Sequence, residues 1–314
     1  MNEEKPRITP TFKVKLVRFV KSPYMLVIPA FLFYALFWAY PVFNAIKEVL
    51  TAIPQEGGGF SLSSIKLLVE EAYFWESIRN SLLFAIFSIL LQFFLALGLA
   101  LLINRRFKGS SIFLFLMMLP MAIPIAAVGI IWDTGLTEFG WINSIIEVSK
   151  LQYLLDLLSI TDGPILWKSA DGYKAIGFLI LVDTWTVLPS VMIIILAGLQ
   201  NLNKEYQEAA LVFGATKVQS IKDIIVPIIK PTIITALLLR IISGIQVWLI
   251  SVIIFGHNKV PFMVERIVFY TKVYYNDSAA EKISYGYSVL VVIIVMFIAY
   301  LFLRANREAE RSLK

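Results

Sequence analysis

Cysteine is absent from the chain and histidine occurs once, at His257. The first absence removes disulfides, thiolate nucleophiles and Cys-ligated metals together, and one histidine cannot build a metal site alone. No metal and no cofactor are therefore expected. Charge is scarce as well: 16% of residues are Asp, Glu, Lys or Arg, against about 25% in a soluble domain. No G-x-x-x-x-G-K-[ST] stretch occurs, so the chain has no phosphate-cradling loop of its own. No nucleophile and base stand in an obvious pair, and an enzyme active site is not expected. Apart from a short turn at Gly57-Gly58-Gly59, no flexible linker divides the chain.

What the sequence does have is apolar length, with 59% of residues hydrophobic. About 20 apolar residues span the hydrocarbon of a bilayer, and six such runs are present: Tyr24 to Ile46, Ser81 to Ile103, Ile112 to Trp132, Ala175 to Leu199, Thr232 to Phe255 and Ile283 to Leu303. The runs are continuous rather than alternating, which excludes a membrane barrel, and lipid leaves helix as the only open-ended state with its backbone satisfied. The expected class is an all-α integral membrane protein with six transmembrane helices.

Lysine and arginine set the expected orientation. Lys5, Arg7, Lys13, Lys15, Arg18 and Lys21 precede the first run; Arg105, Arg106 and Lys108 fill the second loop; Arg304, Arg307, Arg311 and Lys314 end the chain. Acids dominate the first and third loops, with Glu48, Glu56, Glu70, Glu71 and Glu76 in one and Asp133, Glu138, Glu147, Asp156, Asp162 and Asp171 in the other. Both termini are expected in the cytoplasm. The net charge of +6 reads as topology, not as a nucleic-acid footprint. The first run is too long for a signal peptide and no A-x-A site follows it, so it reads as an uncleaved helix. The expected organisation is a basic arm at 1–22, a membrane domain at 23–303 and a cytoplasmic tail at 304–314.

Pro120 and Pro124 interrupt the third run and Pro189 the fourth. Such prolines fit either an ordinary kinked helix or a segment lining a cavity. The third loop is too long for a connector; WINSIIEVSKLQYLLDLLSI predicts one or two short surface helices.

The fourth loop, about Gln200 to Pro231, reads as an elbow. Asn203 is placed to cap a helix from Lys204 to Phe213, and Gly214 suits the left-handed position after it. Thr216 with Gln219 forms a capping box for a second helix, Lys217 to about Val226, and Pro227 and Pro231 punctuate its exit. Tyr206, Ala209, Ala210 and Phe213 share one face of the first helix, and Val218, Ile221 and Ile225 one face of the second. Faces this small must dock, either on the bundle's own ends or in a groove of another protein.

Glu208-Ala209-Ala210, three residues, Gly214, nine residues, then Ile224-Ile225-Val226-Pro227 resembles the EAA motif of permease subunits of binding-protein-dependent ABC importers. The likeness extends along the chain. NSLLFAIFSILLQFFLALGLALLINRRFKGSSIF from Asn80, LPMAIPIAAVGIIW with FGWINSI, and DTWTVLPSVMIIILAGLQNLNKEYQEAA are similar to the carbohydrate-importer class, in particular to its larger maltose-permease type of subunit. The chain departs from the family at Phe213, where an aspartate is common, and at FGHNKVPF, where a glycine-rich turn is usual. The resemblance implies the type I importer permease fold. It also implies a second related permease, two copies of a cytoplasmic ATPase that hydrolyses ATP, an external solute-binding protein, and lipid around the bundle. Glu208, Ala209, Ala210, Gly214, Thr216, Ile224 and Pro227 would then carry the ATPase's motion into the membrane, with Glu208 making a charge-assisted contact.

A substrate path needs inward polar groups. Asp183 lies about 12 Å by helical rise from the outer end of the fourth run, and Arg240 at a similar depth from the inner end of the fifth. Ionisable groups at such depth mark function or pair with each other. Trp185, Gln246 and Trp248 are candidates to hold a sugar by an amide and an aromatic face; Gln92, Trp38 and Trp132 pass the same filter. An ion-coupled secondary transporter working without an ATPase, with Asp183 as its coupling group, is the rival expectation; a membrane receptor or scaffold ranks below both.

Overall fold

A computed structural model describes residues 23–52, 59–157, 163–274 and 277–312. The expected basic arm at 1–22, and Gly57 and Gly58 of the glycine turn, lie outside these residues. Among the described residues the chain is helical, with one isolated antiparallel bridge between Thr51 and Phe60.

Helix α1, Met25–Val49, contains a π-helical turn at Ala35–Ala39. The short α2, Ser63–Glu70, leads into α3, Phe74–Asn104. The third apolar run is not one straight helix. It divides into α4, Ser110–Met118, a 3-10 turn at Leu119–Ala122, and α5, Ile125–Gly135, and the two halves of the run are bent by 93°. Ile123 is extended there, as the residue before a proline prefers. The expected surface helices follow as α6, Trp141–Val148, and α7, Leu151–Leu157.

Helix α8, Gly172–Gln200, runs beside α3 and is the most buried span, with 56% of its apolar window inside the bundle against none for α1. After it come α9, Lys204–Val212, and α10, Lys217–Ile228, which meets α11, Lys230–Ile245, at 72°. The expected fifth helix through Phe255 is corrected here: α11 ends at Ile245, and α12 restarts at Leu249–Phe255 after Trp248 leaves the helical region with φ −159° and ψ −47°. No proline forces this break. It is set by packing, because α12 lies against α5, so close that a Cβ on Gly129 would come 2.8 Å from Ile253.

Two elements carry no sequence expectation: α2 and α13, Met263–Val273. Both are short, and both sit at the end of the bundle opposite the Gln200–Pro231 elbow. The last helix, α14, Ser278–Ser312, continues well past Leu303. Part of the expected tail is thus helical, with Arg304 and Glu308 paired one turn apart at 3.2 Å.

The interior consists of three apolar clusters. One joins α3, α8, α10 and α11 at the elbow end around Ala100, Ile195 and Ile233. The second joins α3, α5, α8 and α12 around Phe84, Val128 and Leu179. The third joins α2, α3, α11, α13 and α14 around Leu68, Ile245 and Tyr287. By position along α3, α8 and α11, a polar layer at Ser88, Gln92, Asp183 and Arg240 separates the elbow-end cluster from the other two.

Candidate functional site

The elbow is built by local chemistry. Asn203 Oδ1 accepts the Glu205 N–H at 3.1 Å, which caps α9. At the far end of α9, the Ala215 N–H reaches back to the Ala210 carbonyl at 3.0 Å, closing the helix with Gly214 at φ +84°. A Cβ there would touch nothing within 4 Å, so the glycine answers a backbone need and not a crowded site. Thr216 Oγ1 then accepts the Gln219 N–H at 3.3 Å while Gln219 Oε1 accepts the Thr216 N–H at 2.8 Å. That is the full reciprocal capping box. Inside α10, Ser220–Ile225 is π-helical, and Pro227, which has no N–H to donate, comes one residue later, after Val226.

The apolar residues of the elbow divide between two directions. Ala210 and Ile225 are buried and Ile221 is half-buried; Ile221 and Ile225 pack with the elbow-end cluster. Tyr206, Val212, Phe213 and Val218 stand exposed, Phe213 by 90%. Glu208, Ala209 and Pro227 are exposed on the same elbow, and Ile224 is half-buried. Glu208 has no ion pair among the described residues.

In the bundle, Asp183 and Arg240 are joined. The Arg240 guanidinium donates to Asp183 Oδ2 through Nη2 and to Gln92 Oε1 through Nε. Nη2 also reaches Ser88 Oγ at 3.2 Å, and Nη1 reaches Ser243 Oγ at 2.9 Å. Gln92 Nε2 donates to the same Asp183 oxygen at 2.8 Å. All three side chains are buried. The charges are mutually satisfied across α3, α8 and α11, as a charge in lipid requires. Gln92, weighed above only as a soft sugar contact, is the bridge.

Trp185 is partly exposed and packs edge-on to Trp132, centroids 5.9 Å apart; Trp132 also meets Trp141 at 5.6 Å. Gln246 is exposed and Trp248 half-buried, both in the gap between α11 and α12. Irregular backbone at membrane depth persists only inside protein or along a watered cavity, which gives this gap a functional interest that the sequence pattern alone did not.

A second buried network lies at the opposite end. Glu71 Oε1 accepts from Arg266 Nη2 and from the Tyr270 phenol, each at 3.0 Å, and Oε2 accepts from the Tyr287 phenol at 2.7 Å. The Arg266 guanidinium also stacks over Tyr73, Phe269 and Tyr270. Burial pushes the Tyr270 phenol above its ordinary value, opposed by its bond to Arg266. For Arg266 burial acts downward, yet Tyr270 and the charges of Glu71 and Glu265 hold the guanidinium above its usual range. Glu71 counted in the sequence only as a loop acid; its partner is 195 residues away, a distance over which no local pattern speaks. Nearby, Lys282 Nζ binds Glu48 Oε2 at 2.9 Å and Thr51 Oγ1 at 2.8 Å, tying α14 to the end of α1.

Known proteins agree with this architecture. The trehalose/maltose transport system permease of Thermococcus litoralis is 26% identical over 307 residues, covering 95% of this chain and 97% of that protein. The sulfoquinovosyl glycerol transport system permease of Agrobacterium fabrum is 25% identical over 295 residues, covering 91% and 90%. The fold matches a chain of a bacterial alginate ABC transporter, solved in complex with an alginate pentasaccharide-bound periplasmic protein. That match has a TM-score of 0.76 at 20% identity and covers 95% of this chain and 97% of that one. Residues 92–313, which include the polar layer's Gln92 and the whole elbow, match the model of the binding-protein-dependent transport system inner membrane component family. The chain belongs to that family.

Proposed function

We propose that this chain is a non-catalytic permease subunit of an ATP-driven importer, and that it carries a sugar or oligosaccharide delivered by an external binding protein. Both termini and the elbow face the cytoplasm in this reading, following the basic loops. A second, related permease completes the pathway, and two ATPase subunits supply the energy. The sugar class rests on the named substrates of the relatives.

The observation that carries the coupling role is the two-sided elbow. Ile221 and Ile225 fix it to the bundle, while Tyr206, Val212, Phe213 and Val218 offer an apolar tip beside Glu208, which has no ion pair among the described residues. A groove on the ATPase covers that tip, and Glu208 meets a donor there. Closure of the ATPase pair then pushes on α9 and α10, and the 72° joint between α10 and α11 passes the motion into the span that holds Arg240. Alternating access follows as a shift between two states that ATP binds unequally.

The substrate path is assigned to Trp185, Gln246 and Trp248, which have open faces at or near the broken spans. Asp183 and Arg240 serve instead as the lock between helices, since their hydrogen-bonding groups are spent on each other. That arrangement also weighs against Asp183 as a proton- or ion-coupling group. The test is uptake and ATP hydrolysis in vesicles holding the complete transporter. Glu208→Gln is expected to keep hydrolysis and lose uptake by at least tenfold; normal uptake in that variant would overturn the coupling role.

A further inference from the structure

A cavity of about 340 Å³ lies between the last turn of α3 and the first turns of α10. Its exposed rim carries Arg105 and Lys217, with Asn104 beside them, and its deeper wall is the buried Ser220 with the apolar Leu101, Ile221 and Ile225. Neither Arg105 nor Lys217 has an ion pair among the described residues. No acid lines the cavity; Asp223, the acid of α10, is exposed elsewhere on that helix. The amino end of α10 adds positive potential at the same place.

The level of the cavity matters as much as its charge. The uncharged apolar stretch of α3 closes at its last turn, with Leu101 on that turn and Arg105 the first charge after it, which sets the cavity at the expected edge of the hydrocarbon. A basic rim over an apolar floor, at the depth where acyl chains give way to headgroups, matches a phosphodiester with its glycerol and first methylenes. We propose that this cavity binds the headgroup of an anionic phospholipid between Arg105 and Lys217, linking the end of α3 to the coupling elbow. The exposed tip at Tyr206, Phe213 and Val218 is left free, so the lipid and a partner protein occupy different faces of the elbow. The site does not depend on the transport reading, and its test reads binding directly.

The delipidated protein is titrated with phosphatidylglycerol or phosphatidylcholine, and bound lipid is counted by native mass spectrometry. Each near-surface cation contributes about fivefold, so phosphatidylglycerol is expected to bind about 25-fold more tightly. Arg105→Gln with Lys217→Gln brings the two lipids to parity, whereas Arg106→Gln with Lys108→Gln, which removes equal charge outside the cavity, changes the ratio by less than twofold. If the double variant does not accumulate, Arg105→Gln alone is expected to lose about fivefold. Equal binding of both lipids by the parent protein, or equal losses in the two variants, would overturn the site. Full displacement of phosphatidylglycerol by millimolar inorganic phosphate would also overturn it, by showing that a free anion and not a lipid is the ligand.

Discussion

Gln92 and Arg240 meet in the middle of the bundle, where the amide oxygen of α3 accepts the guanidinium Nε–H of α11 and the amide nitrogen passes the contact on to Asp183 of α8. Three spans are thereby held in register by one hydrogen-bonded unit.

Removing one side of the buried pair leaves the other charge uncompensated. Asp183→Asn or Arg240→Gln alone is expected to cost about 3–5 kcal/mol, and the two together less than either, because the hydrogen-bonding frame survives without charge. The thermal midpoint of the purified protein in detergent measures this. Single variants that unfold at the parental temperature but lose uptake would return Asp183 and Arg240 to the substrate path.

Tyr287 donates to the buried Glu71 carboxylate at 2.7 Å, a charge-assisted bond. Tyr287→Phe is expected to destabilise the protein by about 1.5–3 kcal/mol, with increased hydrogen exchange in α2 and α13, the elements that Glu71 and Arg266 hold together. Exchange unchanged in both helices would show that the network is not what fixes this end.

None of α1's apolar window is buried inside the bundle, and Lys282 grips its last turn. Lys282→Met is therefore expected to loosen α1 while the other spans remain ordered. A spin label on a single cysteine at Ile46 reports this without background, since the chain has no cysteine of its own. An unaltered spectrum would place the anchor elsewhere.

At Gly214 the backbone angle, not the space, limits substitution. Gly214→Asn is expected to retain most uptake, because asparagine tolerates the left-handed region, whereas Gly214→Val pays about 1–3 kcal/mol of strain and uncouples hydrolysis from uptake. Equal uptake in the two variants, read in the same vesicle assay, would show that the bend is not what matters.

The apolar helices and the elbow were legible in the sequence because both rest on local rules, although the breaks in the third and fifth runs were not all read from it. Twenty apolar residues in lipid have no choice but helix, and Asn203, Gly214, Thr216 and Gln219 complete their bonds within a few positions of themselves. The EAA spacing located the same elbow from another direction. The contacts that decide the site are different in kind. Arg240 is 57 residues from Asp183 and 148 from Gln92, and Arg266 is 195 from Glu71; such partners are chosen by which helices pack, and a periodic pattern holds no record of that choice. The gap between α11 and α12 has no proline or glycine at Gln246, Val247 or Trp248 to announce it, and it exists because α12 turns to lie on α5. Sequence thus determined the helical membrane class and the capped elbow, while the tertiary structure decided which charges cancel and where the backbone opens, because burial creates both demands only once the helices have met.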